Sequence, residues 1–391
     1  MPPIRTDSEW LRGEGDATDV VVSSRVRLAR NLANVPFVNR MSPAQRLNTL
    51  NTVRARVESL GLHMTWIDLH RAPLSERTLL VERHLISLQH ARGRKPATGH
   101  AGTGQTPTRP AAEEPRAVAF TSPDERLSIM VHEEDHLRIQ ALRSGLDLAG
   151  AMAQADDADD RLEAGLTYAF GTRFGYLTAC PTNVGTGLRL SVMLHLPSLR
   201  LTGNIERVKH AAGDMNLALR GFYGEGSEAA GDFYQLSNQT TFGKSEAVLL
   251  RELTGEIIPR VLDYERAARR SLLNRRRADL EDQVFRALGV LSRARLMTTE
   301  EAMRQLSLLR LGVVCGLFGA APDARDRATR QPGDAESAHP DGSGSLDLAT
   351  VNRLMLHVQP AHLQRVLGVE MDQDRRRAAR ATLLRDALAG V

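Results

Sequence analysis

Two features of this 391-residue chain hold residue types that could handle a phosphoryl group. Cys180 to Arg189 reads CPTNVGTGLR, with the glycines of a phosphate-binding loop and a thiol at its front. No Gly-Lys-Ser/Thr follows, so the lysine and hydroxyl that a Walker loop offers to phosphates and Mg²⁺ are missing. The cation after the glycines is Arg189 instead. Further arginines occur as Arg25 and Arg27 in VVVSSRVRLARN, Arg138 in EEDHLRIQ and Arg220 in LRGFYGE. Two residues apart on an extended backbone, Arg25 and Arg27 point to the same side. Taken singly, each is most simply a solvated surface residue. Yet each lies in or beside a small-residue or apolar segment, where a partly buried guanidinium needs an anion. A triphosphate supplies several, and the planar guanidinium fork binds phosphate oxygens bidentately. A set of arginines could thus replace both the Walker lysine and its amide cradle.

The elements that must position these residues read as mixed α and β. Residues 43–60 and 75–90 have helical patterning, and 116–121 and 127–133 flank a turn-rich SPDE as a hairpin. Segments 188–196 and 216–223 suit strands or short helices, and 232–240 suits another strand, which favours a largely antiparallel sheet. Ser245 caps a helical stretch towards Arg275, with Pro259 as a kink or break. Thr298 and Glu301 form a capping box, and Leu348, Val351, Leu354, Met355 and Val358 recur at helical spacing before Pro360. Residues 91–115 and 320–345 are rich in Gly, Pro and polar residues and read as flexible insertions.

Bulk properties restrict the class. Charged residues make up 25% and hydrophobic ones 42% of the chain, an ordinary globular composition. The net charge of +4 leaves no basic tail of the kind that binds nucleic acid. Two cysteines cannot build a disulfide framework, which favours a reducing compartment. No apolar run approaches the ~20 residues of a membrane span, and no signal peptide is evident. The expectation is a cytoplasmic protein with no direct nucleic-acid or membrane partner.

Four segments in series, SSRVRLARN, VHEEDHLRIQ, CPTNVGTGLRLSVM and RGFYGEGSEAAGDFYQLSNQTTFGKSE, resemble the signatures of the phosphagen (guanidino) kinases. Within that superfamily the chain is most similar to the bacterial protein-arginine kinases, the McsB family. The likeness covers roughly residues 18–90 and 116–275, and more weakly the C-terminal part. It implies an α+β catalytic domain, an antiparallel sheet flanked by helices with a shortened helical N-terminal part, followed by an all-α domain. The corresponding boundaries are 1–90, an insertion 91–115, a catalytic part 116–275, and a helical dimerisation domain 276–391 containing the insertion 320–345.

The resemblance also implies roles. Arg25, Arg27, Arg138, Arg189 and Arg220 would clamp ATP, with His84 near the base. Ser23, Ser24, Val26, Leu190, Ser191, Val192, Met193, Gly221, Phe222, Tyr223, Gly224 and Glu225 would complete the nucleotide pocket. Mg²⁺ would be held mainly through the phosphates, consistent with no metal-ligand spacing in the chain. A guanidinium is protonated at physiological pH and is a poor nucleophile. Glu134 and Glu225 match the carboxylates that orient it and take its proton. Either would otherwise be a solvated acid. Cys180 would lie at the guanidino site, where cations favour a thiolate; its plain alternative is a small buried hydrophobe. Cys315, in an apolar helical run, reads as core.

Only 22 residues precede Ser23, against the long N-terminal helical domain of kinases that enclose free amino acids. An open guanidine site implies an arginine on a protein surface as substrate; the alternatives are a small-guanidine kinase and a non-catalytic phosphoarginine-binding adaptor. QDRRRA at 373–378 aligns with an allosteric phosphoarginine motif, matching at Asp374, Arg377 and Ala378, with Gln373 replacing an arginine. Arg375 or Arg376 could substitute, and the plain alternative is a solvated basic helix face. The family further implies a homodimer, a zinc-finger activator, a heat-shock repressor and a Clp unfoldase as partners, in a stress response.

Overall fold

The computed structural model describes residues 8–93, 114–215, 217–221, 230–239, 241–318 and 346–391. Its strands are β1 Val21–Arg30, β2 Met64–Asp68, β3 Ala117–Thr121, β4 Leu127–Val131, β5 Leu137–Ser144, β6 Phe170–Gly171, β7 Gly175–Tyr176, β8 Leu188–His195, β9 Leu217–Arg220 and β10 Phe233–Asn238. All but the β6–β7 hairpin join one eight-stranded sheet in the order β2-β3-β4-β5-β1-β8-β10-β9. The strand β1 lies inside the sheet, antiparallel to β5 and to β8. The expected hairpin is β3–β4, with Ala117 opposite Val131. Of the segments read as strand or helix, Leu188–His195 is strand β8 and Leu217–Arg220 is strand β9.

Helices in chain order are α1 Pro43–Glu58, α2 Leu74–Glu82, α3 Leu88–Arg92, α4 Leu148–Glu163, α5 Pro197–Leu201, α6 Ile205–Asp214, α7 Glu246–Glu252, α8 Ile258–Arg275, α9 Arg277–Arg293, α10 Thr299–Val314, α11 Leu348–His357, α12 Pro360–Leu367 and α13 Gln373–Ala387. Ser42 and Gln45 close a full capping box on α1. The helix expected over 75–90 is two, because His84 takes a left-handed φ of 59° between α2 and α3. Ser245 caps α7 as expected. The break before Arg275 is a π turn over Leu253–Ile257, just ahead of Pro259. At α10, Thr298 accepts the Glu301 N–H.

Contacts divide the chain into two units. The first comprises Met1–Leu194, Glu206–Glu228 and Tyr234–Leu262, and contains nearly the whole sheet. Its core includes Val26 and Leu28 of β1, Ile139 of β5 and Leu190 of β8, all fully buried, with Leu162 of α4. The second comprises His195–Ile205, Ala229–Phe233 and Asp263–Val391. Leu272, Leu280, Val284 and Leu311 form one of its clusters, with Cys315 half-buried beside them. The boundaries expected from the sequence place 195–205, 229–233 and 263–275 in the catalytic part instead. Glu265 accepts the Ser198 and Leu199 N–H groups, each at 3.0 Å. Ser307 donates to Asp232 at 3.2 Å. Such buried polar ties were not visible in a hydrophobic pattern.

Candidate active site

Strand register assembles most of the site. Arg27 of β1 lies opposite Arg189 of β8 and Gln140 of β5, Ala29 lies opposite Arg138, and Arg25 opposite Ser191. Directly opposite residues share a sheet face, so these guanidinium groups emerge on one side. Arg220 enters from β9, opposite Gln235 of β10. The result is a cleft of about 420 Å³ lined by all five arginines together with His84, Glu133, Glu134 and Cys180.

Five guanidinium groups against two carboxylates make the cleft cationic. Burial, then Arg138 and Arg189, pull Arg25 down to about 10. Arg27 moves further in the same direction, through burial first and then Arg25, Arg138 and Arg189. Among the described residues its buried Nε has no hydrogen-bond partner, and Arg25 Nε donates to the neutral Ser191 Oγ at 3.3 Å. Like charges placed opposite each other on neighbouring strands destabilise a sheet unless an anion lies between them. An anion between the guanidinium groups would relieve that repulsion.

The acidic pair divides its labour. Glu133, only 2% exposed, pairs with Arg138 at 2.9 Å, accepts from Ser87 Oγ at 2.7 Å and from the Glu134 N–H at 2.7 Å. Burial alone would push its carboxyl up, but Arg138, His90 and these hydrogen bonds hold it below the ordinary value. Glu134 is 35% exposed and 3.3 Å from Arg138, so its carboxylate faces the cleft. The next residue, fully buried Asp135, accepts from Asn31 Nδ2 and from the Ala179 N–H, both at 2.6 Å. One side chain thus ties the turn carrying Glu134 to the loop carrying Cys180. Cys180 Sγ sits 3.0 Å from Thr182 Oγ1.

The glycines of CPTNVGTGLR have a steric role. Gly187 has φ 66°, and a Cβ there would stand 2.6 Å from the Ala29 carbonyl; at Gly185, φ 108°, it would stand 2.4 Å from that of Thr241. They let the loop press against β1 and residue 241 and bring Arg189 and Cys180 into place. His84 is fixed by Gln140 Nε2 donating to its carbonyl at 2.7 Å and by Trp10, edge-on at 4.9 Å. Burial, then Arg25, push its imidazole down to about 3, so the ring is neutral.

Several expected pocket residues face elsewhere. Ser24 is fully buried, its Oγ donating to the Gly145 carbonyl at 2.8 Å and accepting the Asp147 N–H at 2.9 Å. Val26, Leu190 and Val192 alternate onto that same core side, as a pleated strand requires. Ser23 pairs with Met193 across β1 and β8, and neither lines the cleft; nor does Gly221. Ser191 acts through Arg25. Phe222, Tyr223, Gly224 and Glu225 lie outside the described residues. Sequence reasoning overlooked Glu133, Ser87, Gln140, Asn183, Gln235 and Gln239, which also line the cleft. Gln140 was findable, being two residues from Arg138 on one strand.

In the second unit, Gln373, Asp374, Arg377 and Ala378 occupy the first turns of α13. Gln373 and Asp374 are exposed, Arg377 and Ala378 half-buried, and Arg377 lies 3.5 Å from Asp374. Of the stand-ins for the missing arginine, Arg376 donates to the Met371 carbonyl at 2.7 Å and Arg375 is exposed. Among the described residues, no three His, Cys, Asp or Glu side chains gather as a metal site. Nor is any described helix long and apolar enough to cross a membrane.

Residues 48–268 match the family model for the ATP:guanido phosphotransferase C-terminal catalytic domain. Residues 277–326 and 344–391 match that for the protein-arginine kinase McsB C-terminal domain. The chain is 42% identical to the protein-arginine kinase of Symbiobacterium thermophilum over 98% of both chains, and 40% identical to that of Moorella thermoacetica over 99% of both. It belongs to the protein-arginine kinase family. The family's catalytic domain is a phosphotransferase domain using ATP and a guanidino acceptor. Solved structures agree on the fold. Lombricine kinase is 23% identical with a TM-score of 0.53, over 68% of this chain and 71% of that one. The duplicated taurocyamine kinase of Schistosoma mansoni is 23% identical with a TM-score of 0.53, over 63% of this chain and 33% of that longer one. The arginine-bearing β1 lies ahead of the matched 48–268 segment.

Proposed function

We propose that this protein transfers the γ-phosphoryl group of ATP to the guanidino group of arginine residues in proteins. The observation that carries this reading is one cleft combining five arginines with a partly exposed carboxylate and a thiol. The curated relatives, each called a protein-arginine kinase, support it. Arg25, Arg27, Arg138, Arg189 and Arg220 hold the triphosphate and neutralise the charge that develops on the transferred group. The neutral ring of His84 sits near the base. Mg²⁺ would shield phosphate oxygens, held by the nucleotide that the arginines grip. Glu134 orients the guanidinium and accepts the proton lost as the N–P bond forms and ADP leaves. Glu225 is the second orienting carboxylate, and Cys180 tunes the acceptor end.

The same reading makes the protein cytoplasmic and homodimeric. It includes an allosteric phosphoarginine site at Gln373, Asp374, Arg377 and Ala378. Its partners are a zinc-finger activator, a heat-shock repressor and a Clp unfoldase for which phosphoarginine marks substrates under stress. The first test is ADP release with Mg-ATP and casein, free arginine or creatine at matched guanidine concentration, with acid-sparing mass spectrometry of the casein. Phosphoarginine on casein and little turnover of the small guanidines is expected. A clear preference for a free amino acid overturns the protein-substrate reading.

A further inference from the structure

Beside the cleft, the first unit carries a second hollow of about 400 Å³, lined in part by Phe170, Phe174, Tyr176, Gly185 and Phe242. Phe170, Phe174 and Phe242 are 59%, 46% and 54% exposed. Three large rings left to water around one hollow are more than scattered surface apolarity, and such patches mark binding surfaces. The floor is stiff. Arg30 lies 3.6 Å over the Tyr176 ring while bonding Asp159 at 2.7 Å and the Thr186 carbonyl at 2.9 Å. Phe170 leans edge-on against Tyr176 at 5.3 Å. Two of the rim charges are engaged: Arg173 stands 5.1 Å over Phe174, and Lys244 pairs with Glu252 at 2.6 Å; Glu246 also lines the rim. Even so, all three rings keep about half of their surface in water.

One loop serves both hollows. Cys180, Thr182, Asn183 and Gly187 line the cleft, while Gly185 and Thr186 line the aromatic hollow. Thr241, just before Phe242, donates its hydroxyl to the Thr182 and Val184 carbonyls, each at 2.8 Å, and accepts the Thr186 N–H at 3.1 Å. The aromatic wall is therefore fastened to the loop that carries Cys180.

We propose that this hollow is a substrate subsite, seating an apolar side chain of the polypeptide next to the arginine being phosphorylated. The proposal rests on the protein-substrate reading above. An arginine delivered on a polypeptide brings neighbours at about 3.3 Å per extended residue, which must cross the surface beside the cleft. The loop that carries Cys180 also forms part of the aromatic hollow, which puts the two hollows next to each other. A free guanidine has no neighbour to place there.

The test uses the full chain and peptides with a single arginine in a Gly/Ser background, with Leu, Phe or Asp placed in turn at each flanking position. Leu or Phe at one position is expected to lower KM about tenfold or more relative to Ser, the scale of burying one such side chain. Phe174→Ser with Phe242→Ser should erase that gain and leave kcat/KM on the plain Gly/Ser peptide unchanged. Gains at no position, or gains that survive in the double variant, overturn the subsite. A double variant that changes oligomeric state by light scattering without moving peptide KM also overturns it, making the hollow a contact between copies. Failure of the underlying protein-kinase reading looks different: the plain peptide and casein are then not phosphorylated at all.

Discussion

At the residue scale, the two acids of the Glu-Glu pair illustrate how environment assigns work. Glu133 spends its oxygens on Arg138, Ser87 and a backbone N–H, whereas Glu134 keeps a carboxylate in the cleft. The sequence reading chose Glu134 by resemblance; nothing in an acidic doublet says which member is buried. Glu134→Gln keeps shape and removes the charge, so ATP binding should persist while phosphoryl transfer falls ~10²-fold or more. Near-normal transfer in single-turnover quench experiments would remove Glu134 from the base role. Arg220→Lys keeps charge but loses the planar fork, and should cut kcat strongly with circular dichroism unchanged. An unaltered rate would place Arg220 outside the transition-state contacts.

At the element scale, the pairing of Arg25 with Arg27 is legible because strand parity is simple, whereas resemblance groups Arg138, Arg189 and Arg220 with them. Alternation alone put Arg25 and Arg27 on one face, and it sent Ser24, Val26, Leu190 and Val192 to the other. A motif match carries no parity, which is why it drew all of them into one pocket. The break at His84 was not legible either, since a left-handed residue leaves no mark on apolar spacing. The loop glycines suggested phosphate, while their surroundings show a close approach to backbone carbonyls. Gly187→Ala adds a Cβ against the Ala29 carbonyl at a left-handed φ, so it should displace the loop, lower the melting temperature and reduce kcat. Gly203→Ala, with φ 73° and open space around it, carries only the backbone strain. Equal effects of the two on kcat would show that loop position is irrelevant to turnover.

At the scale of the whole molecule, the antiparallel sheet and the helical C-terminal part follow from patterning, while the membership of 195–205 and 229–233 in the second unit rests on buried polar contacts. Buried histidines give the molecule a directional response to pH. Burial is the leading cause that pushes His84 and His132 down to about 3 and His90 and His357 to about 4. Below the ordinary value of 6.5 the unfolded chain takes up protons that the folded chain refuses, so stability falls with acidification through that window. Glu265 acts oppositely. Burial raises it to about 7, so its folded form holds a proton that the unfolded chain has released, which favours folding on acidification from 7 towards 4.5. His136 and His195 are lowered too, while Glu125, Asp135, Asp156 and Glu246 are raised from values near 4 and so act mostly below this window; the histidines dominate, and the melting temperature should drop between pH 7.5 and 5.5. A flat or rising profile in scanning calorimetry would contradict that balance.

The edge-on contact of Trp10 with His84 has an optical consequence. The chain has two tryptophans, and the other, Trp66, lies on β2 at the far edge of the sheet order. Substituting Trp66→Phe leaves a single indole, buried at 2% exposure and touching an imidazole that lines the cleft. Filling the cleft with nucleotide alters the field and packing around that imidazole, and the indole reads the change as a shift in emission. Titrating ATP into this variant should therefore give a saturable fluorescence signal, reporting occupancy in real time without a label and without turnover.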